Sequence, residues 1–193
     1  MARTKDFNEE EVLKKAVCLF WDKGYNGTSM QDLVDGLGIS RSSLYDTFGD
    51  KHQLYLKALE TYQQGYGQQL CALIGKAPSA KAAIRELLEL VARDLLGDKQ
   101  RKGCFVVNAG IEMASHDKEV NGMICQSEQQ LEQAFLKVIQ NGQQSGELDK
   151  KQDAQAIARF FNNTVKGMQV SVKSTSNARF FQDIIDTALS VLG

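Results

Sequence analysis

A chain of 193 residues with 42% hydrophobic and 24% charged side chains can bury one or two real cores, and this balance excludes disorder. Its 23 basic and 24 acidic residues leave a net charge of −1 and a pI near 6.1, so bulk charge gives no sign of an anionic partner. No apolar run approaches the ~18 residues of a membrane span, and the start MARTKDFNEE lacks the apolar core of a secretory signal. A cytoplasmic protein without membrane contact is expected.

A single proline, Pro78, leaves long helices free to run. The first element opens at Asn8, three residues before Glu11. It carries Leu13, Ala16, Val17 and Phe20 at helical spacing and stops at Gly24 and Gly27. A second opens at Thr28, three before Gln31, and ends at Gly38. A third follows Ser40 and ends at Gly49, and a fourth starts at Asp50, three before Gln53. Beyond it the apolar repeats lengthen: Ile84 to Leu95, Ile124 to Val138, Ile157 to Met168 and Phe181 to Leu189. Turn residues at 75–78, 98–103, 142–146 and 174–177 separate them. No stretch alternates with period two, so the fold class is all-α with about nine helices. Short helices in front and long ones behind predict two domains, 1–50 and 51–193, the helix beginning near Asp50 serving as connector.

The segment from Thr28 to Leu54 carries the specific signal. Leu33, Val34 and Leu37 form one apolar face, Gly38 ends the helix and Ile39 plugs the joint. Ser40 then caps a second helix with Leu44 and Phe48 inside. This is the helix-turn-helix layout, whose second helix enters the DNA major groove. Arg41, Ser42, Ser43, Tyr45 and Thr47 face outward, a guanidinium and hydroxyls suited to base edges and phosphates. Thr28, Ser29 and Lys51 stand at helix starts, where backbone N–H groups favour a phosphate. Arg3 and Lys5 in the N-terminal arm can reach an adjacent groove. Residues 1–60 nevertheless hold eight basic against ten acidic side chains, so DNA affinity is expected to lean on hydroxyl, N–H and base contacts.

The same string resembles the DNA-binding domain of the TetR family of bacterial transcription regulators, over about residues 8–58. Thr28 and Ser29 open the pattern, Leu33 and Val34 supply the apolar pair, and Leu37, Gly38, Ile39 and Ser40 form the turn. Ser43, Leu44 and Tyr45 match the recognition helix, and Phe48 and Lys51 close it. Ser42 stands where the family often has glycine, and Thr47 where it often has tyrosine or histidine; both departures bear on base and phosphate contacts. The resemblance implies a homodimeric, ligand-responsive regulator, a repressor on a pseudo-palindromic double-stranded operator released by a small-molecule effector.

It also implies a C-terminal ligand-binding and dimerisation domain. The two most apolar helices supply the interface candidates Phe160, Phe161, Thr164, Gly167, Met168, Ile184, Ile185, Ala188 and Leu189, and closure of the protomer's own core is the alternative. The apolar stretch 103–113 supplies the ligand candidates Cys104, Phe105, Asn108 and Met113, with Phe135 behind, and core packing explains all but Asn108 equally well. Cys18, Cys71, Cys104 and Cys125 show no metal spacing and read as reduced thiols. His52 and His116 are expected at the surface. No nucleophile–base set, metal site or cofactor loop marks an enzyme. A helical small-molecule carrier would share the pocket and dispense with Arg41, Tyr45 and Lys51.

Overall fold

The computed structural model describes residues 7–67, 69 and 79–193. Arg3, Lys5, Cys71 and the turn at 75–78 lie outside the described residues. Nine α-helices run in chain order among those described: α1 Glu9–Lys23, α2 Met30–Leu37, α3 Arg41–Phe48, α4 Lys51–Tyr62, α5 Ala80–Gly97, α6 Phe105–Met113, α7 Lys118–Ser145, α8 Ala154–Ser171 and α9 Ala178–Leu189. A π turn, Gln63–Gly67, extends α4, and a 3-10 turn, Ser190–Leu192, follows α9. None of the described helices is long and apolar enough to cross a membrane.

Short polar side chains set the helix starts. Asn8 accepts the N–H groups of Glu10 and Glu11, and Glu9, Glu10 and Glu11 complement the dipole of α1. The start of α2 lies one residue later than the sequence pattern predicts. Ser29, not Thr28, is the N-cap, and its reciprocal partner is Asp32 rather than Gln31. Ser40 and Asp50 cap α3 and α4 as expected. Gly38 ends α2 at φ 70, in the left-handed region that costs glycine least and lets α3 turn back across it.

Buried residues form two clusters. One joins Ala80, Ile84, Leu87, Leu88 and Val91 of α5 to Phe135 and Ile139 of α7, to Phe161, Val165 and Met168 of α8, and to Phe181 and Ile185 of α9. The other joins α1 to α4 and takes Phe105, Ala109 and Met113 from α6, with Val120 and Ile124 from the start of α7. The core around the helix-turn-helix is therefore completed by residues about sixty positions beyond it.

Candidate nucleic-acid interface and ligand cavity

The recognition face rests on a sealed floor. Leu33, Leu37, Leu44 and Phe48 are buried and Ile39 fills the turn, which leaves Arg41, Ser42, Tyr45 and Asp46 exposed on α3. Tyr45 is 46% exposed, an aromatic with its apolar body already in water. Ser40 Oγ accepts the Ser43 N–H at 3.1 Å and lies 3.0 and 2.9 Å from the Ser42 and Ser43 hydroxyls. Three hydroxyls thus cluster at the exposed N-terminus of α3. Thr47 is half-buried on the same helix.

Thr28 does not belong to this face. Its side chain is fully buried and its hydroxyl donates to the Gly24 carbonyl at 2.6 Å, tying the α1–α2 joint. Two of the N–H groups near it are also taken, since the Asp32 carboxylate accepts the Ser29 N–H at 2.8 Å and Ser29 Oγ accepts the Asp32 N–H at 3.0 Å. Hydrogen bonds from Lys23 and Ser29 hold the Asp32 carboxyl well below the usual carboxylate range. Ser29 is exposed, but its hydroxyl is committed to Asp32. Lys51 is half-buried with Nζ 4.3 Å from the centroid of the Tyr25 ring, and desolvation pushes its pKa down. Its cation is held by Tyr25 beside the start of α4.

A cavity of about 430 Å³ opens between α4, α6, α7 and α8. Tyr62, Tyr66 and Cys104 stand at one end, and Val106, Val107 and Ile111 form the α6 wall. Asn121, Cys125 and Glu128 come from α7, with Asn162, Lys166 and Gln169 from α8. Of the ligand candidates read from the sequence, Cys104 alone lines it. Phe105 and Met113 face the N-terminal core, and Phe135 is buried against Phe161 with centroids 5.8 Å apart. Asn108 is not among the lining residues, and its Nδ2 donates to the Lys102 carbonyl at 2.9 Å and closes the loop before α6. Burial pushes the Cys104 thiol up, away from thiolate character, and the Tyr62 hydroxyl donates to its Sγ at 3.7 Å.

Between face and cavity runs a polar contact that the sequence reading did not single out. The Glu112 carboxylate, at the end of α6, accepts the N–H groups of Tyr25 and Asn26 at 2.9 and 2.7 Å. Nearby, Asp117 caps α7 by accepting from Glu119 and Val120, and its other oxygen lies 2.5 Å from His52 Nε2 on α4. Those N–H bonds, first among them that of Val120, hold the Asp117 carboxyl below its ordinary value. His52 is therefore half-buried in an inter-helix contact rather than free at the surface, whereas His116 is exposed. No spacing rule ties Glu112 to residues 86 and 87 positions earlier, and only the packing of α6 brings them together.

The interface candidates on the last two helices divide by face. Phe161, Met168, Ile185 and Ala188 are buried within the protomer and cannot meet a partner. Phe160 is 42% exposed and Gly167 is exposed. Thr164, Ile184 and Leu189 are half-buried, the Thr164 hydroxyl donating to the Phe160 carbonyl. Val170 and Phe180 extend the outward stripe.

Comparison with known proteins agrees along the whole chain. Residues 12–58 match the family described as bacterial regulatory proteins, tetR family, and residues 80–188 match the tetracyclin repressor-like C-terminal domain. The HTH-type transcriptional regulator YezE of Bacillus subtilis is 35% identical over 193 residues, all of both chains. The repressor ComR of Escherichia coli is 25% identical over 97% of this chain and 90% of its own. Among solved structures, a cysteine-substituted variant of the regulator CifR, complexed with a 26-bp double-strand operator DNA, superposes with a TM-score of 0.90 at 25% identity, covering all of both chains.

Proposed function

The chain belongs to the tetR family of bacterial regulatory proteins, and we propose that it is a homodimeric repressor released from a pseudo-palindromic operator by a small molecule. The observation that carries this reading is the position of α6. One side of that helix lines the cavity through Val106, Val107 and Ile111, and its end grips the α1–α2 joint through Glu112. A ligand that favours one placement of α6 biases the placement of the helix-turn-helix, provided it binds the two placements with different affinity.

The DNA contacts fall to Arg41, Ser42, Ser43, Tyr45 and Thr47, with Ser40 and Lys51 placing phosphates and Ser29 holding α2. Dimerisation through α8 and α9 is supported by the outward stripe of Phe160, Gly167, Val170, Phe180 and Ile184. A Cβ built on Gly167 meets nothing within 4 Å inside the protomer, so the space beside it is open to a second copy. Two copies would set their α3 helices one turn of DNA apart. The repressor names of ComR and of the E. coli relative BdcR support the direction of control.

Selection of bound fragments from genomic DNA tests the reading. An inverted repeat recovered with wild type supports it, and recovery without sequence preference ends it. On that repeat, Arg41→Ala should lose about 1–3 kcal/mol and relax the preference at one base pair per half-site.

A further inference from the structure

The charges on the cavity wall define what the cavity accepts. Among the described residues lining it, Glu128 and Lys166 are the only ionised side chains, and they meet each other, Oε1 to Nζ, at 2.8 Å. The pair joins α7 to α8 and leaves no net charge on the wall. The polar groups at the Tyr62 end are also spent inside the protein, whereas Asn121, Ser127 and Gln130 line the α7 side. Tyr62 donates to Cys104, Gln63 Nε2 donates to the Met123 carbonyl at 3.1 Å, and Gln169 bonds the Tyr66 hydroxyl. Burial keeps both phenols protonated, with their pKa values pushed well up.

One polar demand is unmet. Asn162 is 5% exposed, its Nδ2 reaches the Glu128 carbonyl at 3.4 Å, and its Oδ1 has no donor. Turning the amide over would oppose two carbonyl oxygens, so the acceptor stays as placed. Asn162 lines the cavity, and turning its buried acceptor into the open space would favour a molecule with an uncharged O–H or N–H over a plain hydrocarbon.

We propose that the effector is a neutral, largely apolar small molecule bearing a hydrogen-bond donor, and that the Glu128–Lys166 pair sets this specificity by excluding ions. The Lys166 and Glu128 side chains keep 32% and 42% of their surface accessible, but an ion that leaves water for the cavity finds its counter-charge already engaged. Phenol rings and the aliphatic side of α6 take the apolar body. The inference rests on the ligand-released reading above and is separable from it by experiment.

Calorimetric titration of the full-length protein at neutral pH with three bicyclic probes of matched shape decides it: 2-naphthol, 2-naphthoate and 2-naphthylmethylammonium. Wild type should bind 2-naphthol at least tenfold tighter than either ion. Glu128→Gln frees Lys166 and should raise naphthoate affinity about tenfold, whereas Lys166→Met should do the same for the ammonium probe. Each variant should keep the wild-type circular dichroism spectrum, which reports an intact fold. Equal binding of an ion and the neutral probe by wild type, unaltered selectivity in both variants, or no binding of any probe overturns the proposal. The same probes are then added to the protein on its selected DNA. Selective binding that leaves the DNA complex intact removes the release reading and leaves this one standing.

Discussion

The two cores are built from different materials. Around the helix-turn-helix, aromatic rings meet at defined angles: Tyr55 packs edge-on to Phe20 and Tyr25, each 5.0 Å between centroids, and to Phe105 at 5.6 Å. Tyr62 continues the series to Phe105 at 5.7 Å. The C-terminal core is mostly aliphatic, with Phe135, Phe161 and Phe181 set among leucine, isoleucine and valine. Aliphatic packing is non-directional and tolerates small shifts, whereas edge-to-face contacts and the Glu112 carboxylate are geometric. A displacement of α6 is therefore felt more sharply at the DNA-binding end than in the bundle behind it.

Truncating one ring in each core tests that asymmetry and should give the largest effects. Phe105→Ala and Phe161→Ala each remove a side chain no more than 1% exposed and should cost about 3–5 kcal/mol in urea unfolding. Only Phe105→Ala should also weaken DNA binding under conditions where both variants remain folded. Equal losses of DNA affinity would mean that the cores act as one. Phe160→Ala, one residue away but 42% exposed, should leave the fold within about 0.5 kcal/mol and instead raise the monomer fraction in sedimentation.

That neighbouring pair also shows where the sequence was legible. In α2 and α3 the inward residues, the turn and the glycine stops all follow from eight-residue helices with one apolar face each. In α8 apolar residues occur on both faces, and periodicity cannot say which face meets the protomer's own core. Phe161 and Met168 go inward, Phe160 and Gly167 outward. The cavity was legible in the stretch 103–113, which lines it through Cys104, Val106, Val107, Gly110 and Ile111, and not elsewhere, because the rest of its wall draws on helices distant in sequence. The N-cap of α2 is not legible between Thr28 and Ser29 because two hydroxyls stand side by side, and only Ser29 has an acid three residues on, Asp32, that reaches back to it.

An intermediate effect is expected at the joint between the regions. Glu112→Ala removes two charge-assisted bonds and leaves the Tyr25 and Asn26 N–H groups without this acceptor, a loss of about 2 kcal/mol in thermal unfolding. It should also reduce the ability of any cavity ligand to alter DNA affinity, read as a smaller ratio of affinities with and without ligand. An unchanged ratio would move the coupling elsewhere, with Asp117 and His52 the next contact to examine. Asp117→Ala should cost about 1 kcal/mol as a lost N-cap. Its folded carboxyl lies below the unfolded value near 3.9, so its contribution is complete above that pH and disappears as pH falls through the folded value. Wild type should therefore lose stability in acid more steeply than the variant, and parallel acid profiles would contradict the shift.

The smallest effects separate the two adjacent hydroxyls. Ser29→Ala removes the N-cap of α2 and should cost about 1 kcal/mol in stability. Thr28→Val keeps the shape of a fully buried side chain but orphans the Gly24 carbonyl, with a loss of about 1 kcal/mol. Because the Thr28 hydroxyl points into the joint, the salt dependence of DNA binding should be unchanged in Thr28→Val, whereas Lys51→Ala should flatten it by about one counterion. A flatter slope in Thr28→Val would restore a phosphate contact to that position and require the α1–α2 joint to open when DNA binds.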